Sequence, residues 1–248
     1  MLRIQSLDEI TQPFKNAVIT IGNFDGVHIG HQALFHEVIE HADAIGGTPI
    51  AMTFEPHPSR VLKSNNHPPL ITLIEQKTEL IESTGIEILI CIPFNKAFAD
   101  IPAGSFIEDL LVNKIGMKAI VVGQDYSFGK NRQGYISYLK KHAQNFGYEV
   151  IVADWIQDAK TRALRVCSTR IRELVTAGRM NEARQLLGRH YQIRGVVVTG
   201  RNRGGKLLDC PTANINLQDE LSPANGVYVV TAEWNGCKYV GVANIGYS

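Results

Sequence analysis

Residues 17–31 read AVITIGNFDGVHIGH, which is an apolar run, a glycine-rich turn and the beginning of a helical pattern. A buried strand that turns directly into a helix opens a βα unit, the repeating element of parallel sheets. In open sheets of this kind, ligands bind beyond the carboxyl ends of the strands. We therefore expect a binding site in the turn between Gly22 and His31.

The alternation of strand and helix patterns continues to about residue 155. Four further apolar runs are TPIAMTF (48–54), EILICIPF (87–94), KAIVVG (118–123) and YEVIVADW (148–155). Helical patterns, each long enough to cross over a sheet, occupy residues 30–46, 72–84, 104–114 and 134–147. Residues 1–186 are therefore predicted to form an α/β domain with a doubly wound parallel sheet.

The pattern changes in the last third of the chain. Residues 168–188 look helical, with Gly178 and Gly188 as the expected ends of two short helices. Beyond Tyr191, strand patterns alternate with Gly, Pro and Asn turns, and no helical pattern separates them. Residues 187–248 are therefore predicted to form a second domain, a small and incomplete antiparallel β-barrel.

The composition excludes several classes of protein. The 248 residues carry a net charge of +1, 44% are hydrophobic, and four are cysteines. This describes a globular chain, not a disordered or disulfide-scaffolded one, and no apolar stretch approaches the ~18 residues of a membrane span. A chain with so small a net charge has no strong electric field that would attract nucleic acid or membranes, so we expect only small-molecule partners. We expect the protein to be located in the cytoplasm. Oligomeric state is left open.

The turn after the first apolar run has the features of an anion site. Backbone N–H groups and the positive dipole end of a helix attract phosphate, and glycines let its oxygens approach the main chain. His28 and His31 lie three residues apart, on one side of the first helical turn. The predicted phosphate-binding residues are Gly22, Asn23, Phe24, Asp25, Gly26 and Gly30, with His28 and His31 as donors. The alternative is an ordinary capped turn with solvated histidines.

Three further loops are expected to meet at the same predicted edge. EPHP (55–58) is expected to be an extended wall, because its prolines oppose helix. GQDYSFGKNRQG (123–134) would suit a planar, charged ligand, or would be a mobile surface loop. CSTRIR (167–172) offers hydroxyls and guanidiniums to phosphate, although Ser168 or Thr169 could be a plain helix cap.

GNFDGVHIGH, TFEPHP, GQDYSFGKNRQG and CSTRIR, in this order, resemble the adenylyltransferase half of prokaryotic bifunctional riboflavin kinase/FAD synthetases. RGVVVTGRNRGGKLLDCPTANI, NGVYVV and YVGVANIG are similar to the opening of the riboflavin kinase half. The resemblance implies a nucleotidyltransferase-like, Rossmann-type domain. It also implies an enzyme that transfers AMP from ATP to FMN, giving FAD and pyrophosphate.

The resemblance also implies roles for individual residues. His28, His31 and Arg172 would be catalytic, and Ser168 and Thr169 would hold the triphosphate, with Mg²⁺ bridging its phosphates. The nucleotide and flavin sites would be bordered by Pro56, His57, Pro58, Asp125, Phe128 and Arg132. In the kinase half, which acts on riboflavin, Thr212 and Asn214 would bind Mg²⁺ and ATP.

Two departures from the family pattern concern the kinase half. Asp209 and Cys210 stand where the family usually has a glycine and an aromatic residue, and the sequence stops at Ser248, before the family's catalytic base. We therefore expect adenylyl transfer with little or no kinase activity. The alternatives are a nucleotidyltransferase with another acceptor, such as pantetheine phosphate or nicotinamide mononucleotide, and a non-catalytic flavin or nucleotide sensor.

Overall fold

The structure, a computed structural model, describes residues 1–63, 67–157, 165–198, 212–217 and 219–246. The chain forms two units. The first comprises Met1–Pro68 and Ile74–Cys167, and the second comprises Pro69–Leu73 and Ser168–Ser248. In the described ranges, no helix has both the length and the apolar character needed to cross a membrane.

A six-stranded sheet is the framework of the first unit. The strands of this unit are β1 Leu2–Ile4, β2 Ala17–Ile21, β3 Pro49–Glu55, β4 Ile88–Pro93, β5 Met117–Gly123, β6 Ser127–Phe128, β7 Gly134–Tyr135 and β8 Glu149–Ala153. The sheet has the order β1-β4-β3-β2-β5-β8, and every neighbouring pair is parallel. The predicted parallel sheet is confirmed, and β6 and β7 form a separate antiparallel pair.

The order of the strands creates a crevice beside β2. The chain moves from β2 to β3 and β4 on one side, then returns to β5 and β8 on the other side. Such a reversal separates the loops that follow the two adjacent strands, and ligands bind there in doubly wound sheets. The loops after β2 and β5 are therefore the places where a ligand would be recognised.

Helices cover both faces of the sheet. They are α1 Ile29–Ile45, α2 Pro58–Leu62, α3 Ile74–Glu82, α4 Lys96–Ala99, α5 Ala103–Ser105, a π-helix Phe106–Ile115 and α6 Ile136–Phe146. Successive residues of a strand face opposite sides, so Ile19 belongs to one buried cluster and Val18 to the other, together with Phe35 of α1. These two cores are what a doubly wound fold requires.

One strand of the sheet was not expected from the sequence. β1 pairs in parallel with β4, so that Leu2 lies opposite Ile88. A strand of three residues is too short to show an alternating pattern, and of its residues only Ile4 is buried. Pairing with a long neighbouring strand, rather than local sequence, places it in the sheet.

The second unit contains α7 Ser168–Thr176, α8 Met180–Leu187, β9 Val197–Val198, β10 Asn214–Ile215, β11 Gly226–Trp234 and β12 Cys237–Ile245. The two helices end before Gly178 and Gly188, as predicted. Its described strands form two antiparallel pairs, β9 with β10 and β11 with β12. Asn235 and Gly236 connect the longer pair with positive φ angles of 48° and 77°, which is the conformation of a type I′ turn.

Two helix-ending glycines provide a matched test of backbone strain. Gly46 ends α1 and Gly116 ends the π-helix, with φ angles of 57° and 83°. Alanine in this left-handed region costs roughly 1–2 kcal/mol. A Cβ at Gly116 would also lie 2.8 Å from the carbonyl oxygen of Phe14, whereas no described atom lies within 4 Å of one at Gly46.

We expect Gly116→Ala to lower the free energy of unfolding by about 1–3 kcal/mol more than Gly46→Ala, because only the former adds overpacking to the strain. Urea denaturation of both variants measures the difference. Equal losses of stability would contradict the close approach of Phe14 to Gly116.

A buried carboxyl group lies in the second unit. Glu220 is 5% exposed, and its Oε1 accepts the backbone N–H of Arg194 at 3.2 Å. Its Oε2 is buried without a hydrogen-bond partner in the described structure. Burial raises the pKa of Glu220 above its ordinary 4.5, and the Arg194 hydrogen bond and charge lower it only in part.

Because the pKa of Glu220 is raised on folding, its protonated form stabilises the fold below pH 4.5, and this contribution is lost as pH rises through the folded pKa. The substitution Glu220→Gln keeps the shape of the side chain but removes its negative charge. We therefore expect this variant to gain stability relative to the parent as pH rises from 4 to 8. Denaturant unfolding at several pH values tests this, and parallel stability curves would refute it.

Candidate active site

His28 and His31 form a stacked pair where α1 begins. Their ring centroids are 3.5 Å apart and their planes differ by 18°. His28 is the N-cap of α1, and its Nδ1 accepts the backbone N–H of His31 at 3.2 Å. This bond requires an unprotonated Nδ1, so the proton of a neutral His28 ring lies on Nε2, which can donate to a ligand. The spacing HxGH therefore places both imidazoles together at the positive end of a helix.

Gly30 makes room for this pair. A Cβ at this position would stand 3.2 Å from both Cε1 and Nδ1 of His28, closer than ordinary contact. The sequence analysis assigned Gly30 to the approach of phosphate oxygens. In the structure, the imidazole of His28 lies against the position that a Cβ would take. The glycine in HxGH is explained by the packing of the ring that precedes it.

Phe24 supports the pair from the core. It is 2% exposed, its ring meets His31 edge-on at 5.3 Å and it meets Phe35 of α1 at 4.7 Å. Its φ of 46° is unusual for a residue other than glycine, and a Cβ at Gly22 would approach its ring to 2.8 Å. Gly22 and Phe24 therefore shape the turn through packing, since a buried phenyl ring offers no donor to phosphate.

Three of the remaining residues of the β2–α1 turn, defined as residues 22–28, are polar or lack a side chain, and the fourth, Val27, is buried in the core. Asn23 is exposed, and its carbonyl oxygen accepts the hydroxyl of Thr53 from β3 at 3.3 Å. Asp25 is 2% exposed. Gly26 has a φ of 86°, which only glycine adopts readily. The turn is thus fastened to the neighbouring strand and contains one buried carboxylate.

The loop after β3 corrects one prediction. EPHP was expected to be extended throughout, but Pro58 is the first residue of α2 and His57 is its N-cap. Nδ1 of His57 accepts the N–H of Ser59 at 3.2 Å. Proline is tolerated at the first helical position because its missing N–H would have no intrahelical partner there. Pro56 follows a cis peptide bond with Glu55.

The loop after β5 is held by its own aromatic residues. Phe128 is 7% exposed and packs at 5.5 Å from both Tyr126 and Phe106. Burial raises the pKa of Tyr126, so its hydroxyl remains protonated. Nε of Arg132 donates to Oγ of Ser127 at 2.9 Å. Phe128 and Arg132 therefore stabilise this loop in the structure.

Asp125 lies in an arrangement that the sequence analysis missed. Its carboxylate is 3.0 Å from a guanidinium nitrogen of Arg165, and the guanidinium carbon lies 3.8 Å from the centre of the Trp155 ring. Asp125 follows β5 and Trp155 follows β8, at the carboxyl edge of the sheet. The signal in the sequence was a tryptophan at the end of a predicted strand and an arginine two residues before CSTRIR.

The predicted residues of CSTRIR belong to the second unit. Ser168 is the first residue of α7, and Thr169 is exposed. Arg172 is half-buried, and its Nε donates to the carbonyl oxygen of Pro69 at 2.9 Å. A guanidinium that is anchored through Nε still presents its terminal nitrogens in a fixed direction.

The predicted kinase residues Thr212 and Asn214 are both exposed. Asn214 begins β10 and lies opposite Val198 of β9. The predicted strand start at Pro211, and the departures at Asp209 and Cys210, lie outside the described residues.

Comparison with known proteins identifies the family. One family model, described as FAD synthetase, matches residues 10–170, and another, described as riboflavin kinase, matches residues 187–248. A relative from Buchnera aphidicola subsp. Acyrthosiphon pisum, named bifunctional riboflavin kinase/FMN adenylyltransferase, is 37% identical over 98% of this chain and 77% of its own length. The chain belongs to the bifunctional riboflavin kinase/FMN adenylyltransferase family. The family predicted from the four motifs is thereby confirmed.

Other members of the bifunctional family show the same extent of similarity. The Escherichia coli K12 protein is 34% identical over 99% of this chain and 78% of its own length, and the Listeria monocytogenes serovar 1/2a protein is 36% identical over 94% and 73%. A crystal structure from Streptococcus pneumoniae, described as a macrolide-efflux protein, has a TM-score of 0.86 and 33% identity, covering 99% of this chain and 78% of that one. The fold is therefore shared with a solved structure.

The substitution Gly30→Ala should lower the activity with little change in the stability of the fold. Alanine favours a helix over glycine by about 1 kcal/mol, which offsets the shift that its Cβ imposes on the His28 ring. We expect the free energy of unfolding to change by less than about 1 kcal/mol, while the family reaction slows about tenfold because the ring pair is displaced. Gly104→Ala is the control, since a Cβ there meets only Oη of Tyr138 at 3.5 Å. Unchanged FAD formation by Gly30→Ala would contradict this role.

Proposed function

We propose that this chain transfers AMP from ATP to FMN, which forms FAD and releases pyrophosphate. The observation that carries the proposal is the stacked His28–His31 pair at the N-terminus of α1, beyond the carboxyl end of the central strand. The match to the FAD synthetase family over residues 10–170 supports it. ATP, FMN and riboflavin are the substrates that fit the two matched families.

The chemistry suits a site made of donors and cations. The second pKa of a phosphate monoester is about 6, so FMN presents a charged oxygen near neutral pH and needs no general base. This oxygen attacks the α-phosphorus of ATP. A new bond forms between this oxygen and the α-phosphorus. At the same time the bond breaks between the α-phosphorus and the oxygen that bridges to the β-phosphate, and pyrophosphate leaves with the electron pair of the broken bond. Positioning and neutralisation of charge then account for the catalysis.

Each predicted residue has a role consistent with its chemistry. Nε2–H of His28 and the ring of His31 would donate to the phosphates and to the departing pyrophosphate. Ser168, Thr169 and Arg172 would hold the triphosphate through hydroxyl and guanidinium donors. Asp125, with Pro56, His57 and Pro58, would border the nucleotide and flavin positions. We add Arg165, whose guanidinium is held beside Asp125 by the face of Trp155.

Magnesium enters this proposal with the nucleotide. In the part of the chain that the structure describes, no three His, Cys, Asp or Glu side chains come together as a metal site. Magnesium commonly keeps substrate phosphates and water among its ligands. We therefore propose that it binds as part of the ATP substrate, where it neutralises phosphate charge.

We assign adenylyl transfer to residues 1–186. For residues 187–248 we propose phosphorylation of riboflavin, in place of the little or no kinase activity expected from the sequence, because these residues match the riboflavin kinase family. Thr212 and Asn214 are exposed oxygen-bearing side chains, the ligand type that Mg²⁺ prefers. The absence of nucleic-acid or membrane partners and the cytoplasmic location stay predictions from the sequence.

Chromatography of the reaction mixture tests both activities. The purified chain is incubated with ATP and Mg²⁺ together with FMN or, in parallel, with riboflavin. FAD formed from FMN supports adenylyl transfer, and FMN or FAD formed from riboflavin supports the kinase. Bound flavin without pyrophosphate release would instead favour a sensor, and turnover with only another phosphate acceptor would favour a different nucleotidyltransferase.

Replacing either histidine of the pair should slow the chemical step. We expect His28→Ala and His31→Ala each to lower kcat for FAD formation about 10²-fold or more, because donors to the developing phosphate charge are lost. His36→Ala is the control, since His36 is exposed on the same helix and its Nε2 lies 3.1 Å from Oε1 of Glu40. Equal kcat values in all three variants and the parent would overturn the assigned roles.

A further inference from the structure

Lys77 is a buried cation outside every motif identified in the sequence. It lies in α3 and is 2% exposed, and its neighbours Gln76 and Thr78 are 1% and 3% exposed. A lysine is almost never buried to this extent unless it is paired with an opposite charge. The cost of burying an ammonium group therefore calls for an explanation from its surroundings.

Lys77 lies on the buried face of α3 that packs near the β2–α1 turn, since Ile81, one helical turn further along α3, belongs to the same buried cluster as Phe24 and Val27 of that turn. Burial lowers the pKa of Lys77, while the charges of Asp25, Glu55 and Cys91 raise it part of the way back. Cys91 contributes little negative charge near neutral pH, because burial raises the pKa of its thiol. The electrostatic partners of the ammonium are thus mainly Asp25, which is 2% exposed, and Glu55.

These two carboxylates occupy informative positions. Asp25 is in the β2–α1 turn, three residues before His28, and Glu55 is the last residue of β3, directly before Pro56. Both therefore lie at the edge of the sheet where the proposed function places the nucleotide phosphates. Without a nearby cation, their two negative charges would oppose an incoming triphosphate and would repel each other.

Packing alone does not account for a lysine at this position. A methionine has a similar length and volume, and it would fill the same space without the cost of desolvating a charge. The lysine is explained if its charge is needed. It neutralises part of the negative charge at the sheet edge without standing in the site itself.

We propose that Lys77 is a positioning residue that sets the charge balance of the β2–α1 turn, so that the turn keeps its geometry and accepts the phosphates of ATP. This inference rests on the proposed function, because it takes ATP as the ligand of that turn. Lys77 acts through Asp25 and Glu55, and it is not assigned a contact with the substrate.

The test compares Lys77→Met with Lys77→Arg, and uses Lys118→Met as the control because Lys118 is exposed on β5. We expect Lys77→Met to weaken MgATP binding, measured by calorimetry, and to raise the KM for ATP, each about tenfold. The affinity for FMN should change much less. Lys77→Arg keeps the charge and should retain more ATP affinity than Lys77→Met, and Lys118→Met should behave as the parent.

A double-variant cycle separates charge balance from a structural role. Glu55→Gln added to Lys77→Met removes one of the two negative charges that Lys77 offsets. We expect ATP affinity to recover most of the tenfold loss. Additive effects of the two substitutions, or unchanged ATP affinity in Lys77→Met, would overturn the proposal. If Lys77→Met does not fold, Lys77→Gln with and without Glu55→Gln gives the same comparison.

Direct binding also distinguishes this inference from the proposed function. If the parent chain binds MgATP but forms no FAD, adenylyl transfer fails, and the ATP affinities of the variants still decide the role of Lys77. If the parent forms FAD and Lys77→Met has unaltered ATP binding and KM, the inference about Lys77 fails and the proposed function stands.

Discussion

The turn from β2 into α1 is the constraint on which the site depends. The chain must leave a buried central strand and begin a helix within seven residues, so the first N–H groups of α1 need acceptors. Nδ1 of His28 provides one by accepting from the N–H of His31, and this places the two rings face to face. This close packing requires glycine at positions 22 and 30 and a strained backbone at Phe24. The helix cap and the proposed ligand donor are therefore the same side chain.

The sheet turns this local arrangement into a site. Because all six strands are parallel, every strand ends at one edge, and the reversal of strand order beside β2 leaves space there. Asp125 after β5 and Trp155 after β8 reach that edge from one side, and Glu55 at the end of β3 reaches it from the other. The result is a mixture of cationic donors and carboxylates, of which Asp25 is buried, and charge balance matters as much as the position of any single group.

Some of this could be predicted from the sequence because the signals are local. Apolar runs separated by helical patterns gave the five longer strands, and the three-residue spacing of His28 and His31 indicated a pair on one side of a helix. Other features depend on contacts between distant residues. β1 is recognisable only by its pairing with β4, and Arg165 is notable only because Trp155 lies under it. Lys77 was missed because IEQKTELIE has the polar composition of an exposed helix, whereas its middle residues are buried.

The cation over the indole of Trp155 gives the molecule an optical reporter. The chain contains two tryptophans, Trp155 in the first unit and Trp234 at the end of β11 in the second. Trp155 is covered on one face by Arg165, whereas Trp234 is 66% exposed. An anion that draws Arg165 away would change the environment of the first indole and leave the second as an internal reference. Each unit thus carries its own tryptophan, so that single-tryptophan variants report on ligand binding and unfolding in one half of the chain at a time.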